Sequence, residues 1–142
     1  MRSLVNELLI QMTNVEQECE LLLIDDKSDD QWRFINREVA NQPLINYIEL
    51  PTNIGRSKIR NLLAEKANYP YLLYMDCDSK ITKADYLQSY LENCKGDIVV
   101  CGGRQYDAKR PASPYVLRWL YGVNREVTTA EQRTKLPNKS FM

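Results

Sequence analysis

Apolar positions along this chain fall into two kinds of run, some at helical spacing and others short and continuous. Leu4, Leu8, Leu9 and Met12 recur at helical spacing and predict a helix over residues 2–13. ELLLIDD at 20–26 is a continuous apolar run ending in acids, the pattern of a buried parallel strand. Asp29 or Asp30 suits the cap of a helix through QWRFINREVA, which stops near Pro43. INYIEL at 45–50 reads as a second strand. Asn53 opens a helix to about Lys66, with Ile54, Ile59, Leu62 and Leu63 as its apolar face.

The alternation continues with YLLYMD at 71–76 as a third strand and a helix from Thr82 to about Cys94, closed by Gly96. DIVVCGG at 97–103 reads as a fourth strand. KRPASP is then a loop, PYVLRWLYGV an amphipathic helical stretch, and the tail from Glu126 to Met142 is polar with no strong period. Strand alternating with helix predicts an α/β domain with a mostly parallel sheet, here one domain over residues 1–142. Its acids fall at the carboxyl ends of strands, where open parallel sheets place their ligand crevice.

Composition narrows the chemistry. Nineteen basic residues balance nineteen acidic ones, and the basic residues are scattered, so no nucleic-acid partner is expected. No apolar run approaches the roughly 20 residues that span a bilayer, and MRSLVNELLIQM lacks the core and cleavage site of a signal peptide. The chain has no histidine, which excludes a Ser-His-Asp or Cys-His nucleophile and a cysteine-histidine zinc site. Cys19, Cys77, Cys94 and Cys101 form no CxxC pair and read as reduced, mostly buried thiols of a cytoplasmic protein.

Three clusters remain: Asp25-Asp26-Lys27-Ser28-Asp29-Asp30, the stretch Asn53 to Asn61 (NIGRSKIRN), and Asp76-Cys77-Asp78-Ser79. Two aspartates two residues apart beyond a strand end can face one pocket, where they repel unless a cation sits between them. Mg²⁺ or Mn²⁺ suits one or two carboxylates plus a substrate diphosphate. The bland readings are caps for the first cluster, a solvated helix face for Arg56, Lys58 and Arg60, and packing for Tyr115, Trp119 and Tyr121, which otherwise suit a sugar platform. Cys77 reads as a spacer between acids.

In this order and at about these spacings, "IDDKSDD", "NIGRSKIRN" and "YMDCDS" resemble the family-2 glycosyltransferases, as do "GGRQYDAKRP", "YVLRWLYGVNREV" and the arginine before "NKSFM" downstream. The resemblance implies a Rossmann-like GT-A fold and an enzyme that moves a sugar, with inversion, from a nucleoside-diphosphate sugar (a UDP-sugar foremost) to a saccharide or lipid-linked acceptor. It implies that Asp25 and Asp26 hold base and ribose, that Arg60 reaches the nucleotide or its diphosphate, and that Asp76 contacts the nucleotide's ribose or the metal's water shell. Asp78, with Asp76, would bind the metal, and Arg104 would touch substrate. It places the parent protein in the cytoplasm, peripheral to the inner face of the membrane.

The chain departs from the family in two ways. A first strand like "VSIIIPTYN" is missing, and so is a later acidic base, often in an "ED" pair. The chain therefore reads as a donor-binding part truncated at both ends, without transfer activity of its own. Direct pairing of neighbouring strands, or a second copy in a homo-oligomer, is expected to close the gap in the sheet. The rival readings are a receiver-like signalling domain with Asp76 as phosphoacceptor, a phosphohydrolase using its DxD, and a non-catalytic binding module.

Overall fold

The computed structural model describes residues 1–96 and 98–135. Packing divides the chain into two compact units, residues 1–94 and the part from residue 95 onward.

The first unit opens with helix α1, Arg2–Met12. Leu4, Val5, Leu8 and Met12 line one side of it and are buried, as their i, i+4 spacing requires. Strand β1 (Leu21–Asp25), helix α2 (Asp30–Ala40) and strand β2 (Ile45–Glu49) then form a β-α-β unit. β1 and β2 pair in parallel, with Leu21 opposite Ile45 and Asp25 opposite Glu49. The Leu21 N–H donates to the Leu44 carbonyl at 2.8 Å and the Leu50 N–H to the Asp25 carbonyl at 2.9 Å, so the ladder is closed at both ends. Asp29 is the N-cap of α2 but makes no side-chain capping bond, while Asp30 in the first turn pairs with Arg33. Val39 is the buried anchor of this helix.

Helix α3, Arg56–Lys66, packs on β1 through the half-buried Ile59, Leu62 and Leu63. Helix α4, Tyr86–Asn93, packs on α1, and a single buried side chain joins the two. The Gln11 amide donates to the Lys83 carbonyl at 2.9 Å and accepts from the Leu87 N–H at 2.9 Å. It thereby satisfies one of the orphan amides in the first turn of α4.

The sheet is smaller than the sequence pattern predicts, with two strands among the described residues. Residues 71–76 form no strand, and Tyr71, Leu72, Leu73 and Tyr74 are 39–51% exposed. Residues 98–103 likewise run as irregular backbone, with Ile98 and Val99 exposed; Asp97, the first position of that expected strand, lies outside the described residues. An apolar run has the propensity to extend, but a strand exists only where a neighbour bonds its N–H and C=O groups. The helix expected to be capped by Thr82 has Asp85 as its N-cap instead, three residues later, and begins at Tyr86. The cysteines are free, as expected, but none is buried: Cys77 is exposed and the other three are half-buried.

In the second unit, helix α5 (Val116–Tyr121) passes into a π-helical turn (Gly122–Glu126), and helix α6 (Ala130–Lys135) follows. The Trp119 indole N–H donates to the Asp107 carbonyl at 2.8 Å, fixing α5 to the preceding loop. Gly122 is buried against the Tyr106 ring, which occupies the space a Cβ would take. Tyr115 and Tyr121, read in the sequence as packing aromatics, are instead exposed, because α5 turns Trp119 rather than them inward. Of the polar tail, residues 136–142 lie outside the described residues.

Candidate functional site

At the end of β1 the chain turns through Asp25, Asp26 and Lys27, the last in the left-handed region at φ 69°. Asp25 points into the unit and is 6% exposed. Its carboxylate accepts from the Ser28 N–H at 2.6 Å, the Asn36 amide at 3.0 Å and the Tyr47 hydroxyl at 3.0 Å. Burial by itself would raise its pKa, but these donors outweigh burial and hold the carboxyl below its ordinary value. Burial and the Asp25 carboxylate push the Tyr47 hydroxyl well above its usual range. Opposite Asp25 in the ladder, Glu49 accepts from Arg37 through both oxygens at 2.6 Å, and that pair keeps Glu49 ionised to lower pH. Two acids directly across a ladder repel; here each has its own donors.

Asp26 connects this turn to the second motif. One oxygen accepts from the Ile54 N–H at 2.7 Å and the other from the Gly55 N–H at 3.0 Å, while the Asn53 amide donates to the Asp26 carbonyl at 2.9 Å. Gly55 is the N-cap of α3 at φ 85°, a conformation that favours glycine. It has no side chain to cap with, and the Asp26 carboxylate, 29 residues away in the chain, takes the N–H of this N-cap residue itself. A carboxylate is also the charge that the positive end of a helix favours.

The second motif in turn reaches the third. The Arg60 guanidinium lies 3.2 Å from an Asp76 carboxylate oxygen, and the Tyr74 hydroxyl donates to the Arg60 carbonyl at 2.9 Å. The Ser79 N–H closes a turn onto the Asp76 carbonyl at 3.0 Å. Asp78 is exposed, and its carboxylate has no partner among the described residues. The three motifs therefore form one connected series: turn, helix start, Arg60, Asp76. Arg104 belongs to the second unit, where it lies 3.5 Å from Glu126.

Among the described residues no three acids, cysteines or histidines gather closely enough to cage a metal. The local set is the exposed pair Asp76 and Asp78, two hard oxygen donors with open space around them. That set fits an ion which takes its remaining ligands from water and a diphosphate.

Asn36, from α2, and Tyr47, from β2, hold the Asp25 carboxylate and are announced by no motif; for Tyr47 alone the strands give a hint. Strand parity carries the signal: Leu23 pairs with Tyr47 and Asp25 with Glu49, so those side chains share a sheet face. Glu126, too, is announced by no motif. It accepts from Arg118 at 2.9 and 3.2 Å and from the Tyr106 hydroxyl, and these bonds hold its pKa at about 2.

The family described as Glycosyl transferase family 2 matches residues 2–142. An α/β unit with a parallel β-α-β core, acids at the strand end and helices flanking the sheet is the GT-A arrangement, and this chain belongs to glycosyl transferase family 2. The family comprises glycosyltransferases that use nucleotide-sugar donors, commonly with a divalent metal. No match was found among curated proteins or among solved structures. None of the described helices is long and apolar enough to cross a membrane.

Proposed function

We propose that residues 1–142 are part of a GT-A donor-binding domain whose first unit holds the diphosphate end of a UDP-sugar. The connected series from Asp26 through Gly55 and α3 to Arg60 and Asp76 carries this reading, because it gathers anchoring amides, a cation and two carboxylates along one path. Asp25, fixed by three donors, shapes the turn that receives base and ribose, and Asp26 sets its outer edge beside the start of α3. Arg60 is the fixed cation for the nucleotide or diphosphate. Asp76 and Asp78 would hold Mg²⁺ or Mn²⁺, which when bound neutralises the diphosphate and makes it a better leaving group. Arg60 now occupies one face of Asp76, so donor entry exchanges this exposed ion pair for contacts to phosphate. Arg104 is the further contact to substrate.

The transfer is proposed to run with inversion to a saccharide or lipid-linked acceptor in the cytoplasm, at the inner face of the membrane. No residue of this chain is assigned as catalytic base, so the chain alone is expected to bind donor without transferring sugar. The proposed homo-oligomer would use the open edge of β1. There the alternation of a parallel ladder turns the N–H and C=O groups of Leu22 and Ile24 away from β2.

Equilibrium dialysis tests the donor reading. UDP should be retained with Mn²⁺ or Mg²⁺ present and released by a chelator. Metal-independent retention, or none with either metal, contradicts it. Stable phosphorylation of Asp76 by acetyl phosphate would instead mark a receiver-like domain.

A further inference from the structure

The even charge balance of the whole chain conceals a division at the boundary between its two units. Residues 1–94 carry ten basic and fifteen acidic side chains, whereas residues 95–142 carry nine basic and four acidic. Among the described residues of the basic unit, Lys109, Arg110 and Arg125 are exposed and pair with no carboxylate.

That unit also carries an apolar stripe which its own packing leaves outside. α5 rests on Val116 and Trp119, both half-buried, with Trp119 tied to the Asp107 carbonyl. At about 100° per residue, Leu117, Leu120 and Tyr121 turn outward, Leu117 and Tyr121 opposite Trp119 and Leu120 at the edge of that face next to Val116. They are 79%, 42% and 59% exposed, and Tyr115 at the helix start is 69% exposed. The Arg118 guanidinium sits 5.9 Å from the Tyr121 ring centroid, so a cation borders the stripe directly. A short helix with apolar side chains on both faces has one more face than the unit can cover.

We propose that this stripe docks the chain on an anionic lipid bilayer. Leucines and tyrosines enter the boundary between headgroups and acyl chains, while lysines and arginines meet the lipid phosphates. The charge argues for this occupant over a protein partner. The unit carries nine basic side chains against four acidic, with Lys109, Arg110 and Arg125 exposed and, among the described residues, paired with no carboxylate, and an anionic plane complements that excess. Apolar insertion and basic attraction are the two signals that reversible membrane binding requires. The inference does not depend on the donor-site reading, which concerns residues of the other unit.

The test is sedimentation of the 142-residue chain with vesicles of phosphatidylcholine alone and of phosphatidylcholine with phosphatidylglycerol. The chain should pellet with the anionic vesicles, remain in solution with the neutral ones, and be released as salt rises. Leu117→Glu and Tyr121→Glu should each weaken the partition on the order of tenfold. Their circular dichroism should be unchanged, since both side chains are exposed. Lys109→Glu with Arg110→Glu should weaken it similarly without touching the stripe. Failure to pellet with anionic vesicles, indifference to lipid charge, or full binding by Leu117→Glu would overturn the proposal. So would a soluble dimer that Leu117→Glu dissolves in the absence of any vesicle binding, because the stripe would then belong to a second copy.

Discussion

The Asp26 carboxylate accepts at 3.0 Å from the N–H of Gly55, the N-cap of α3, which lies 29 residues further along the chain. With the 2.7 Å bond from Ile54, it fixes the start of α3 against the turn after β1. Asp26→Ala removes both bonds and leaves two amides at the helix start without a protein acceptor. Unfolding by urea should show a loss of about 1.5–3 kcal/mol, the range for hydrogen bonds to a charged group. Asp26→Asn should recover part of it, since the amide oxygen can still accept one bond. An Asp26→Ala protein as stable as the parent would show that α3 does not depend on these bonds.

Gly122 illustrates a different constraint, one of space. The Tyr106 ring fills the volume where a Cβ would stand. Gly122→Ala must push that ring away from Glu126 and should cost about 1–3 kcal/mol, as overpacking does. Tyr106→Ala in the same chain should restore most of the loss specific to Gly122→Ala, which a double-mutant cycle would measure.

The Glu126 cluster predicts an acid limb for the second unit. Arg118 and the Tyr106 hydroxyl bring the Glu126 pKa down from 4.5 to about 2. A carboxyl with a depressed folded pKa contributes stability that is present above the unfolded value. That stability is lost as pH falls through the window between them, here from 4.5 toward about 2. Arg118→Met should flatten the limb in this window and lower stability at neutral pH. Trp119 fluorescence during urea unfolding, in a Trp32→Phe background, reports it. An unchanged limb in Arg118→Met would mean that Glu126 is not its source.

Arg60 separates binding from stability. Its ion pair with Asp76 is exposed on both sides, at 52% and 62%, and such pairs contribute about 0–1 kcal/mol. Arg60→Ala should therefore leave the urea midpoint nearly unchanged, yet weaken UDP binding on the order of tenfold if Arg60 meets the diphosphate. A large stability loss with binding preserved would invert the assignment.

Much of the first unit can be read from the sequence because its signals are local. The predicted strand at 20–26, the helix through Ala40, the strand at 45–50 and the helix ending near Lys66 match β1, α2, β2 and α3 to within a few residues. YLLYMD and IVVCGG carry an equally apolar pattern but form no strand. Pattern records the tendency of a segment to extend; it does not record whether a neighbour is there to bond it. α6 failed for the opposite reason. Its segment has no apolar period, yet Thr129 and Gln132 form a reciprocal capping box, with bonds of 2.9 and 3.2 Å, that the sequence T-A-E-Q announces. At the site, the order of the three motifs was visible. Their joining through Ile54, Gly55 and Arg60 was not, because side-chain contacts between distant loops leave no periodic trace.

The central claim is that Asp76 and Asp78 form a metal-dependent site for a nucleoside diphosphate, and calorimetric titration of UDP into the chain with Mn²⁺ tests it most directly. The account predicts weak binding that requires the metal and disappears in Asp78→Ala, whose exposed side chain leaves the fold intact. UDP binding that Asp78→Ala leaves unchanged, or no heat of binding for the parent chain with Mn²⁺ or Mg²⁺, would contradict it.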